Sequence, residues 1–76
     1  MKVTYNQEVD VLLIQILDGK VAESEESKPG IIIDYDDNGN ILRIEILNAS
    51  KHSDSPFKVD YELIAWLNKS NNSFRV

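Results

Sequence analysis

The sequence predicts an α+β domain, an antiparallel β-meander of four to five strands with one C-terminal helix packed on one face. Three observations carry that expectation. Asn38-Gly39 sits between two alternating apolar runs, and shorter runs ahead of it are punctuated by Asp, Gly and Pro. After Leu47 the alternation gives way to a denser apolar stretch.

Lys2 to Tyr5 alternates and reads as a short strand with Val3 and Tyr5 inward. Residues 6–10 are the break. Val11 to Leu17 reads as a second strand with Leu12, Ile14 and Ile16 inward. Leu13 and Leu17 then lie on the outer face and need partial cover. Asp18-Gly19 reads as a hairpin turn into residues 21–27, which carry Glu23, Glu25 and Glu26. That composition suits an edge strand, where charge deters pairing with other chains. The same glutamates would offer an acidic patch to a basic partner, but edge protection is the simpler reading. Pro29-Gly30 then breaks the chain.

The stretch Ile31 to Leu47 organises the rest. A type I′ turn at Asn38-Gly39 needs positive φ at both residues, which Asn tolerates and Gly adopts freely. Counting outward pairs Tyr35 with Leu42, Ile33 with Ile44 and Ile31 with Ile46, an apolar face. A four-residue loop, 37–40, gives the same pairs. The other face sets Asp36 against Ile41, Asp34 against Arg43 and Ile32 against Glu45. Slipping by one residue mixes the faces. Burying the six inward side chains, at about 1.5–3 kcal/mol each, outweighs an exposed Asp34–Arg43 pair worth at most about 1 kcal/mol. The apolar face therefore sets the register.

Asn48 to Ser55 is polar and loop-like. Ser55-Pro56 supplies a cap and a first-turn proline, with Asp60 as a rival cap, so a helix is expected over 55–69 and a frayed tail over 70–76. Tyr61 to Leu67 is apolar at six of seven positions. Such a helix is greasy on more than its sheet-facing side, which predicts an interface through Leu63, Trp66 and Leu67 in a homodimer or with a partner protein. A final strand over 59–67 is the rival, disfavoured for want of alternation.

The chain has 76 residues and a net charge of −5, with eight basic residues scattered from Lys2 to Arg75. That is one small domain, without the clustered Lys and Arg that phosphate neutralisation needs, so binding to nucleic acid by itself is not expected. No cysteine and a single His52 argue against disulfides and imidazole-built metal centres. No signal peptide or membrane span is expected, and the cytoplasm is the expected compartment.

Asp34-x-Asp36-x-Asn38-Gly39-x5-Glu45 fits the EF-hand loop pattern, with Asp34, Asp36, Asn38 and Glu45 as calcium candidates. An EF-hand needs flanking helices, whereas Pro29-Gly30 and three isoleucines precede this loop, so the turn reading is preferred and no metal is expected. No nucleophile–base pair and no Gly-rich phosphate loop can be found. His52 reads as a solvated loop histidine. No catalytic residue and no cofactor is expected, leaving an interaction module ahead of a small enzyme subunit or a metal-binding module.

Several motifs together resemble a family of small bacterial and cyanobacterial proteins, domain of unknown function 2283. They are Tyr5, Asp10-x-Leu12-x-Ile14, Asp18-Gly19, Val21-Ala-Glu-Ser-Glu-Glu26, Pro29-Gly30, Asp34-Tyr-Asp-x-x-Gly-Asn40 and Ile44-Glu-Ile-Leu-x-Ala-Ser50. The resemblance covers about the first fifty residues. Arg43 and Asn6 depart from it. It implies a soluble bacterial protein with no assigned activity, and an antitoxin-like partner of a small toxin-like protein as an alternative role.

Overall fold

The computed structural model describes residues 1–55 and 58–65. Strands β1 (Lys2–Asn6), β2 (Val11–Gln15), β3 (Glu23–Lys28), β4 (Ile31–Tyr35) and β5 (Ile41–Leu47) form one antiparallel sheet. Their spatial order is β1-β2-β5-β4-β3. This corrects the expected meander. Asp18-Gly19 is no hairpin turn; it lies in a loop that carries the chain from β2 to the opposite edge.

The side chains give the reason. The central position of β5 sets Ile44 between Ile14 and Ile33, and Ile46 between Leu12 and Ile31. A meander would lay β2 against the glutamates of β3. Those glutamates instead occupy an outer strand, as the composition predicts, and a bulge between Glu26 and Lys28 roughens that edge further.

The expected pairs Ile31–Ile46, Ile32–Glu45, Ile33–Ile44 and Asp34–Arg43 are all present. Tyr35, however, faces Ile41 rather than Leu42, and Asp36 lies outside the ladder. The turn is responsible. Asp36 N–H donates to the Asn40 carbonyl at 3.0 Å and Gly39 N–H to the Asp36 carbonyl at 3.1 Å. Gly39 has φ 83°, while Asn38 is not among the residues with positive φ. This is a three-residue loop ending on a left-handed glycine, not the type I′ turn. Its odd residue count must be absorbed, and Leu42 is the residue bulged out of register.

That bulge anchors the crossing loop. The Leu42 carbonyl accepts from Ile16 N–H at 2.8 Å and Leu17 N–H at 3.1 Å, and Ala22 N–H donates to the Tyr35 carbonyl at 2.8 Å. A Cβ on Gly19 would come within 3.0 Å of Leu42 Cδ2, so the loop closes over that side chain because residue 19 has none. Leu42 is 2% exposed.

The expected helix is overturned. Among the described residues the helical segment is one 3-10 turn, Ala49–Lys51, and residues 58–65 are neither helix nor strand. Lys58-Val-Asp-Tyr-Glu-Leu63 alternates polar and apolar, a pattern that favours extended chain and that a window opening at Tyr61 hides. An unsupported helix of this length is also marginal in water. Trp66, Leu67 and the 70–76 tail lie outside the described residues.

Candidate functional site

The ladder sorts side chains onto two unlike faces. On one, Val3, Ile14, Ile44 and Ile33 form one cross-strand row and Tyr5, Leu12, Ile46 and Ile31 the next. Ile16, Tyr35 and Leu42, also expected inward, are not in these rows; these eight belong to the inward set that the alternation predicts. Yet among the described residues no second layer covers it, and the buried apolar residues are Leu42 and Ala49. The face stays partly in water.

The opposite face carries the polar row Gln15, Arg43, Asp34 and Ser24. Asp34, only 2% exposed, accepts from Ser24 Oγ at 2.5 Å and from Arg43 Nε at 2.7 Å. The Asp34–Arg43 pair was expected to be exposed, and its carboxylate is not. Burial alone would push Asp34 up, but hydrogen bonds from Glu45, Ser24 and Arg43 hold its carboxyl below the usual range. Glu45, hydrogen-bonded to Asp34 and partly desolvated, is pushed up. Ser24 meets no imidazole here, only a carboxylate already tied to a guanidinium. The cluster ties β3, β4 and β5 together.

A second cluster closes the other end of the sheet. Asp10, at φ 59°, accepts from Tyr5 Oη at 2.6 Å, Ser50 N–H at 3.0 Å and Ser50 Oγ at 2.7 Å. Its backbone carbonyl accepts from Ala49 N–H at 3.0 Å. The Tyr5 and Ser50 hydrogen bonds lower the Asp10 carboxyl, and the tyrosine hydroxyl is correspondingly raised by Asp10. Spacing alone did not bring these residues together. All three nonetheless belong to the motifs that carry the family resemblance, and that shared membership was the available signal.

The calcium candidates are divided. Asp34 and Glu45 meet on the polar face, while Asp36 faces the turn, accepting from Asn38 N–H, Asn40 N–H and Asn40 Nδ2 at 2.9, 2.8 and 3.0 Å. Those bonds, the Asn40 side chain first, lower the Asp36 carboxyl. Asn38 contributes its N–H to Asp36, and the segment is a hairpin rather than a loop between helices. Among the described residues no group of three or more His, Asp or Glu side chains is placed to hold a metal ion. Of the interface candidates, Leu63 is 78% exposed. His52 lies near Gly30, where an added Cβ would stand 3.6 Å from Nε2.

Fold and clusters together define, among the described residues, a single antiparallel sheet whose polar groups tie strands together and whose apolar face is half-buried. The chain belongs to the family described as "Protein of unknown function (DUF2283)", whose pattern matches residues 2–50. It is also similar to "Uncharacterized protein MJ0789" of Methanocaldococcus jannaschii, at 40% identity over 65 residues, 84% of this chain and 52% of that one. The chain thus spans about half the length of the curated relative it matches. No solved structure matches it. Among the described residues no helix is long and apolar enough to cross a membrane.

Proposed function

We propose that this chain is a non-enzymatic protein-interaction module that works as a homodimer. The observation that carries the reading is the partly exposed apolar face: eight side chains in two rows, Val3 exposed and the other seven half-buried, with no second layer among the described residues. A half-buried sheet of this kind gains stability chiefly by covering that face, and a contiguous exposed apolar patch marks an interaction surface. Val59, Tyr61, Leu63 and Ile64 add further exposed apolar area. The predicted helical interface no longer supports the idea, but Leu63 remains an exposed candidate.

Light scattering on the intact chain tests it. The expected mass is twice the 8.7 kDa of one copy, falling to a single copy for Leu63→Asp. A single-copy mass for the intact chain at every accessible concentration overturns the homodimer. The exposed glutamates of β3 favour a second reading, capture of a small basic toxin-like protein, in which the chain is monomeric until that partner is added.

A further inference from the structure

We propose that Asn38 is a site of spontaneous deamidation, and that the Asp36 carboxylate sets its rate by holding the turn closed. The reaction needs no enzyme. The Gly39 backbone nitrogen gives its proton to solvent base and attacks the Asn38 side-chain carbonyl carbon, and the amide nitrogen leaves as ammonia. Water then opens the resulting succinimide at either carbonyl, giving aspartate or isoaspartate at position 38. One water is consumed and one ammonia released, with no change in oxidation state.

Four asparagines fall among the described residues, and three are poorly placed for this chemistry. The Asn6 side-chain oxygen accepts from Glu8 N–H at 3.0 Å, and a full side chain follows at Gln7. Asn40 donates through Nδ2 to Asp36 at 3.0 Å and precedes the β-branched Ile41. The nitrogen after Asn48 belongs to the buried Ala49 and is bonded to the Asp10 carbonyl at 3.0 Å. Asn38 differs on each count. It is exposed, and its side-chain amide has no hydrogen-bond partner among the described residues. The next residue is glycine, so no Cβ screens the attacking nitrogen. A Cβ built on Gly39 meets nothing within 4 Å, so water reaches both the nitrogen and the ring.

The turn supplies the brake. Gly39 N–H is bonded to the Asp36 carbonyl at 3.1 Å, and Asn38 N–H to Asp36 Oδ1 at 2.9 Å. Asn40 N–H and Nδ2 hold the same carboxylate. While those bonds stand, the Gly39 nitrogen keeps its proton and the peptide cannot swing toward the Asn38 side chain. Reaction waits on local opening, whose frequency the Asp36 bonds set. Isoaspartate would then lengthen the backbone of a loop whose residue count produces the Leu42 bulge.

Ageing the full chain tests this. It is kept in mildly alkaline buffer, folded and in urea, and digests are read by mass spectrometry, with isoaspartate scored by isoaspartyl methyltransferase labelling. Conversion is expected at Asn38 ahead of Asn6, Asn40 and Asn48, with isoaspartate among the products, and slower in the folded chain than in urea. Asp36→Ala should raise the folded rate several-fold. If that variant does not fold, Asn40→Ala, which removes the Nδ2 bond, is read the same way. No conversion at Asn38 in the folded chain, conversion elsewhere first, or aspartate without isoaspartate overturns the site. A folded rate equal to that in urea, or unchanged in the variant, overturns the brake.

Discussion

Asp34 and Glu45 share a hydrogen bond across β4 and β5 that moves their carboxyls in opposite directions, Asp34 down and Glu45 up. Asp34 stays ionised against Arg43, and Glu45, lying in its row between Leu13 and Ile32, keeps its proton longer.

Stability should therefore have two limbs in pH. Asp10, Asp34 and Asp36 lie below the ordinary 3.8, so their contribution is present above that value and lost as pH falls through their folded values. Glu45 lies above the ordinary 4.5, so its contribution is present below that value and lost as pH rises through its folded value. Urea midpoints of the intact chain are expected to peak between the two limbs. Glu45→Gln removes the upper limb and keeps the acid one; an unchanged upper limb would refute the assignment.

Arg43→Met should destabilise by about 1–3 kcal/mol, because it strips the guanidinium from a carboxylate that stays buried. The arginine side chain is itself 41% exposed, which keeps the loss below that of a fully enclosed pair. Arg43→Lys should recover part of it in urea denaturation, and equal losses for the two variants would mean that the charge is idle.

The turn makes a sharper distinction. Gly39→Ala forces a side chain into the left-handed region and is expected to cost about 1–2 kcal/mol. Asn38→Ala should cost much less, since Asn38 does not have positive φ. In a type I′ turn both substitutions would hurt comparably, so thermal midpoints of the two variants separate the geometries.

Leu42→Ala is expected to cost about 2–5 kcal/mol, the range of buried leucine truncations, because the side chain is fully enclosed. The same change should loosen the crossing loop, raising amide exchange at Ile16 and Leu17, whose N–H groups bond the Leu42 carbonyl. Unchanged exchange there would separate the side chain from the loop.

At the other end, Asp10→Ala removes the acceptor for both Tyr5 and Ser50 and should lower the thermal midpoint more than Tyr5→Phe, which deletes one donor. Equal effects would refute that ordering.

The sequence by itself determined the local pairs. Alternation around Gly39 specifies Ile31–Ile46, Ile33–Ile44 and Asp34–Arg43, because a register slip would turn oily side chains to water. It likewise marks β3 as an edge through its glutamates, and it carries the family resemblance. What only the tertiary structure decided is non-local. β5 takes the centre because two of its isoleucines can then have apolar neighbours on both sides, a choice made among strands far apart in the chain. Asp10 meets Ser50 only once those strands are in place. The helix expected over 55–69 is absent from residues 58–65, the part of it that is described, for a related reason: local apolarity does not hold a helix without a surface beneath it.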